Sequence, residues 1–380
     1  MSEKFEGQFE KVVGGSPEEK RLALETIKSW AQKAGSVEKQ HERYELQKSE
    51  SDIALIGKTE TSVDEMVIAW GGNPAPFPAD KMHLVSPLGI EGISEGEFRG
   101  GLSNTMTGEI FVEKSGSEIK TCAALAHELF HQKSYKSAQV YERRKNMGDY
   151  MKNRSGAHSV KLYRSGVQVV SREKFIHPGE DDIYFQEMEE AIVAKSEGEF
   201  INKILRKDPQ YADAFSDVEK VVSWLEKTAE FSGDALVRKK AGKAHVFARR
   251  YIYAISGPAV KELLEVLAGP NDDAYKYGFF CDKLDEMYKS GLLTDQGRTE
   301  EIEKLDSVME EIVSKSAGKF KTKEEVFDVF ARANYSGNLL SLGKMIERIL
   351  GKGSFRRIAE NSKKRGRKKK PTQRIKEFFG

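Results

Sequence analysis

Glu118-Ile119-Lys120-Thr121-Cys122-Ala123-Ala124-Leu125-Ala126-His127-Glu128-Leu129-Phe130-His131-Gln132 is the stretch on which the fold turns. Its residues are good helix formers, and Cys122, Leu125, Ala126, Leu129 and Phe130 supply a buried side. Gly116-Ser117 breaks the chain before it, and Ser117 can cap the helix. The preceding run, Glu109-Ile110-Phe111-Val112-Glu113, follows the turn signal Thr107-Gly108 and has the composition of a strand. The order is therefore strand, short break, helix.

Within that helix His127 and His131 lie four residues apart, on one face and one turn from each other. Two imidazoles so placed can converge on a single ion at Zn–N distances of about 2.0–2.1 Å. Glu128, one step round, can reach a water on that ion without being a ligand. Zinc lowers the pKa of such a water to ~7, and Glu128 would take its proton and pass it to a leaving amine. Chance alone yields H-E-x-x-H in roughly one per cent of chains with this histidine content, so context must carry part of the weight. The bland alternative is a pair of surface histidines on an amphipathic helix. The uncharged Leu129 and Phe130 and the strand in front favour the metal site.

A catalytic zinc needs a third protein ligand and an open position. The continuation H-E-x-x-H-x-x-G-x-x-H is absent, because Gln132-Lys133-Ser134-Tyr135-Lys136-Ser137 follows. The best-placed carboxylates are in Glu187-Met188-Glu189-Glu190-Ala191-Ile192-Val193-Ala194, on a helix expected from about Ile183 to Leu205. Small residues there would let two ligand-bearing helices approach closely. The residues themselves leave Glu187, Glu189 and Glu190 open, with His158 and His177 behind them.

With these motifs the chain resembles the gluzincin superfamily of zinc peptidases, over about residues 107–197. The resemblance implies a thermolysin-like zincin fold of α+β class. In it a small mixed sheet precedes the active-site helix and a mostly helical half follows. Glu189-Glu190-Ala191 looks like the family's ligand followed by a small residue, which makes Glu190 the implied third ligand beside His127 and His131. Relatives often carry an acid four residues further on. Here Ala194 stands there, and Glu197 is the replacement expected to orient a histidine. Tyr275-Lys276-Tyr277-Gly278-Phe279-Phe280 and Leu284 are similar to a helix that closes the site in relatives. The strand 109–113 would border the cleft and could pair with an extended substrate. The implied activity is zinc-dependent cleavage of peptide or protein substrates, with Glu128 as general base. For an oxyanion-stabilising group, Tyr184, Tyr251, Tyr253, Tyr275, Tyr277 and His245 are all candidates, and the sequence does not choose among them.

The rest of the chain sets the surroundings. Its 380 residues are 38% hydrophobic and 32% charged, enough for a sizeable core under a strongly solvated surface. No apolar run approaches the ~20 residues of a membrane span, and the hydrophilic N-terminus lacks a secretory signal, so a cytoplasmic location is expected. Two cysteines, Cys122 and Cys281, agree with that, and Cys122 is expected as a buried free thiol. A helical arm is expected over 1–50, with a helix at 17–34 and a charged extension at 36–50. A catalytic core over 51–205 follows, with Met82–Val85 as a strand and an insertion at about 140–182. That insertion holds a hairpin, 160–163 and 167–170, around Arg164-Ser165-Gly166. A helical subdomain over 206–350 would complete the cleft.

Residues 351–380 carry twelve Lys/Arg against two Glu, giving a tail of +10 on a body of −8. This tail is expected to be disordered, with its densest run at 363–370. It admits weak electrostatic contact with nucleic acid but offers no interleaved aromatics for base stacking. Two rival readings follow: a catalytically inactive zincin serving as an interaction protein, and a nucleic-acid-associated protein acting through the tail. Nothing in the sequence fixes the oligomeric state.

Overall fold

The computed structural model describes residues 11–13, 44–86, 100–104, 108–114, 118–141, 159–171, 182–213, 299–361 and 364–365. It also describes the isolated residues 17, 20, 21, 89, 215, 216 and 223. In chain order the strands are β1 (Lys11–Val13), β2 (Met82–Val85), β3 (Gly101–Asn104), β4 (Glu109–Glu113), β5 (Lys136–Tyr141), β6 (Ser159–Ser165), β7 (Gln168–Ser171), β8 (Asp182–Tyr184) and β9 (Lys364–Arg365). The helices are α1 (Glu50–Ala69), α2 (Glu118–Lys133), α3 (Gln186–Lys203), α4 (Thr299–Lys315), α5 (Lys323–Tyr335), α6 (Leu339–Leu350) and α7 (Ser354–Asn361). The class is mixed α+β, mostly helical with small sheets.

Two sheets flank the sequence of α2. The N-terminal one has the order β2-β4-β3, with β2 parallel and β3 antiparallel to β4. The strand expected at Glu109–Glu113 is therefore present, but it does not border a cleft. It is the middle strand, paired on both sides, and β3 takes the edge. Ile110 and Val112 of β4 point into the main core, while Phe111 turns to the other face with Val85 and Leu102. The second sheet has the order β1-β5-β6-β7-β8-β9. The hairpin of the expected insertion is its centre. Arg164 and Ser165 belong to β6, and Gly166-Val167 makes the turn instead, with Ser165 opposite Gln168. Gly166 has a φ of +58° and lies against Asn334, whose side-chain oxygen accepts from the Val167 N–H at 2.9 Å. Asn334 also donates to Ser134 at 2.9 Å, tying the hairpin to the end of α2.

α2 is buried nearly all round, since β3 and β4, α1 and α3 all pack on it. α1 was not expected. Its start is a capping box: Ser49 Oγ accepts from the Asp52 N–H, and the Asp52 carboxylate accepts from the Ser49 N–H. Ile56, Thr59, Val63 and Val67 form its inner stripe. Most of the helical arm expected over 1–50 lies outside the described residues, and its last residues before this helix are not helical. Residues 45–49 are non-helical, Glu45 bridges to Val85, and its carboxylate meets His83 Nδ1 at 2.9 Å. Most of the helix expected at 17–34 lies outside the described residues.

α4, α5 and α6 stand for the helical half, and one continuous apolar cluster runs through them to α1, α2 and α3. The C-terminal region departs from the expected disorder. α7 spans Ser354–Asn361, with Phe355 against Phe185 at a ring separation of 4.9 Å. Lys364–Arg365 then pair with Asp182–Ile183 as β9. The remainder of the basic run lies outside the described residues. No described helix is long and apolar enough to cross a membrane.

Candidate metal centre

The helical spacing of α2 brings His127 and His131 together as expected, with their Nε2 atoms 3.1 Å apart. α3 crosses beside them and delivers Glu190, whose Oε2 lies 3.5 Å from His131 Nε2 and 3.8 Å from His127 Nε2. Ala191 and Ala194 are buried on α3, so little side-chain bulk separates the two helices. Among the described residues this is the one group of three or more His, Cys, Asp or Glu able to hold a metal ion.

Each imidazole is fixed by its other nitrogen. His127 Nδ1 meets Glu197 Oε2 at 2.9 Å, and His131 Nδ1 meets Glu189 Oε1 at 3.0 Å. A carboxylate accepts, so each Nδ1 is the donor and each Nε2, when free of a proton, presents its lone pair to the shared space. Two nitrogen lone pairs and a carboxylate oxygen then converge, an arrangement that requires a positive charge at its centre. A point about 2.0 Å from all three atoms exists, which is the bond length of zinc to nitrogen and oxygen ligands. The donor set fits a metal ion.

Electrostatics point the same way. Burial would hold the His131 imidazole down, but the Glu189 and Glu190 carboxylates outweigh it and raise His131 well above its ordinary range. Burial pushes Glu190 up, yet His131 and His127 prevail and keep it well below the usual carboxylate range. Without a metal, a proton on His131 supplies the missing charge. That ion pair stabilises the metal-free fold between the ordinary carboxylate and histidine values, and the contribution is lost as pH rises through the raised His131 value or falls through the lowered Glu190 value.

The other candidates fall elsewhere. Glu189 is the partner of His131 Nδ1 rather than a member of the converging set. Glu187 points away and pairs with Lys304 at 2.8 Å. Glu197 takes the orienting role expected of it, two turns beyond Glu190 on the same side of α3. His158, His177, His245, Tyr251, Tyr253, Tyr275, Tyr277 and the expected closing helix near 275–284 lie outside the described residues. Tyr184 sits in β8, partly buried against the core. Cys122 is a buried free thiol, raised by burial, 3.8 Å from the Tyr211 hydroxyl.

Glu128 is 4% exposed and lies under β3. A Cβ on Gly101 would stand 2.7 Å from Glu128 Oε1 and 2.8 Å from its Cγ, so only glycine leaves room for this side chain. Sequence reasoning missed Gly101, and the Gly100-Gly101 pair was the available signal. The strand also has a defined polarity. Glu113 N–H donates to Gly100 C=O at 2.8 Å, which places Gly101 and Ser103 opposite Val112 and Ile110 at non-hydrogen-bonded positions. Their own N–H and C=O groups therefore face away from β4, and among the described residues no strand pairs with that edge.

The carboxylates behind the histidines lead to an expected outcome. Glu197→Gln should weaken metal affinity about 10–100-fold, the usual cost of removing such a partner, while leaving the fold intact. Competition titration against a chromophoric chelator measures it, and an unchanged affinity would remove Glu197 from the centre. No family model, curated protein or solved structure matches this chain.

Proposed function

We propose that this chain is a zinc-dependent metallopeptidase of gluzincin type, with His127, His131 and Glu190 as metal ligands and Glu128 as general base. The observation that carries the reading is the convergence of two carboxylate-oriented Nε2 atoms and Glu190 Oε2, with Glu128 on the same helix. Two imidazoles and one carboxylate are the ligand set of the hydrolytic zinc enzymes that keep an open position. Zinc, when bound, supplies Lewis acidity: it makes water acidic near neutral pH and polarises a carbonyl.

The chain's own residues supply the rest. The Glu128 carboxylate accepts the proton of the attacking water and returns it to the leaving nitrogen. Its burial keeps competing solvent away. The outward N–H and C=O groups of Gly101 and Ser103 would align an extended peptide beside Glu128, as an added strand. This edge replaces 109–113 as the substrate-facing strand. A peptide, with its own backbone donors and acceptors, suits it better than a substrate lacking them.

Incubation of the full chain with a mixed peptide library tests the proposal. Cleavage should occur, stop on chelation and return when zinc is added back. A protein that binds zinc and cleaves nothing in the library would instead be an interaction protein built on a zincin-like centre.

A further inference from the structure

We propose that Gly101 is a positioning residue for the general base: its missing side chain fixes where the Glu128 carboxylate sits, a role that rests on the reading of Glu128 given above. Glu128 and Gln132 are one turn apart on α2, and Gly101 and Ser103 are two residues apart on β3. A helical turn of four residues rises about 6 Å and two strand residues span about 7 Å, so the two pairs stay in step. The first pair is the close approach of Gly101 to Glu128 Oε1, Cγ and Cδ. The second is a hydrogen bond from Gln132 Nε2 to Ser103 Oγ at 2.6 Å. Lys136 Nζ donates to Gln132 Oε1 at 2.6 Å, holding that amide in its orientation.

This second pair decides what a side chain at 101 would displace. β3 cannot lift away, because Ser103 is tied to α2 and the strand is laddered to β4 through Leu102 and its neighbours. α2 cannot retreat, because α1 and α3 close its other sides. The group able to move is the Glu128 side chain. A methyl at 101 would meet not only its oxygen but also Cγ at 2.8 Å and Cδ at 3.1 Å, so rotating the carboxylate alone does not relieve the contact. The whole side chain must change rotamer. That displaces the carboxylate from its place beneath β3, while none of the three atoms nearest the added methyl belongs to His127, His131 or Glu190.

The experiment combines Gly101→Ala, Glu128→Ala and the double variant in the full chain. Gly101→Ala should keep the wild-type metal stoichiometry and lower kcat about 10²–10⁴-fold with little change in KM, the loss that follows when a positioned base leaves its place. The acid limb of its pH–rate profile should move, because the environment of the base has changed. Gly101→Ala should also lower the melting temperature of the wild-type chain, and this loss should vanish in the Glu128→Ala background. Equal losses in both backgrounds, or unchanged kcat and melting temperature, would overturn the proposal. If Gly101→Ala does not fold, recovery of folding in the double variant supports it and failure to recover refutes it. The stability comparison needs no turnover. A chain without peptidase activity would thus count against the proposed function while the cycle still judges the contact between Gly101 and Glu128.

Discussion

Glu128→Gln is expected to lower kcat by about 10³-fold while the chain retains its metal, within the 10²–10⁴-fold that a positioned base contributes. The reason lies in the packing. Glu128 is enclosed between α2 and β3, and its side chain passes directly beneath Gly101. Glutamine has the same shape and fills the same space, so the fold and the ligands at 127, 131 and 190 should be undisturbed. What it lacks is the capacity to accept a proton. Metal content and turnover measured on one preparation check the prediction. Undiminished turnover would exclude Glu128 as the base, and loss of metal would show that the residue holds the centre together instead.

Glu190→Ala carries the second large effect. Removing Glu190 Oε2 leaves two imidazoles, and metal affinity should fall by more than the ~10–100-fold that loss of an outer partner costs. Its pH dependence should change too. In the wild-type chain Glu189 and Glu190 overcome burial and keep His131 protonated above the ordinary range, so metal uptake must expel that proton. Affinity should therefore weaken as pH falls, beginning at the raised His131 value. Without Glu190, His131 loses one of the two charges that raise it, and this weakening should begin at lower pH. Chelator competition at several pH values measures both effects. An unchanged affinity in Glu190→Ala would assign the third ligand elsewhere, with His158 and His177 next to test.

Much of this arrangement is written locally in the chain. The spacing of His127 and His131 needs only helical periodicity, and α2, β2 and β4 are each marked by runs of apolar residues. The hairpin of β6 and β7 is also local, though its turn is the two residues 166–167 rather than 164–166. What composition missed there is remote: Asn334, from α5, receives the Val167 N–H and holds Gly166 in the turn.

Other features depend on phase rather than composition. Glu189 and Glu190 are chemically identical neighbours, yet about 100° of helical rotation separates them. One meets a histidine at Nδ1 and the other faces the Nε2 atoms, and only the seating of α3 on α2 decides which. α1 had usable signals in Ser49, Asp52 and the stripe Ile56, Val63, Val67, but the charged run before it obscured its start. The edge position of β3 was not legible at all. It depends on β4 having two partners, one of them recruited from before residue 86. The role of Gly101 follows from that edge; the Gly100-Gly101 pair marks the position but not what it does.

X-ray absorption at the metal edge of the purified full chain decides whether His127, His131 and Glu190 hold zinc. One zinc per chain is expected, with two imidazoles among its ligands and first-neighbour nitrogen and oxygen distances of about 2.0–2.1 Å. A chain that takes up no metal, or one whose metal has sulfur neighbours from Cys122 or Cys281, would contradict it.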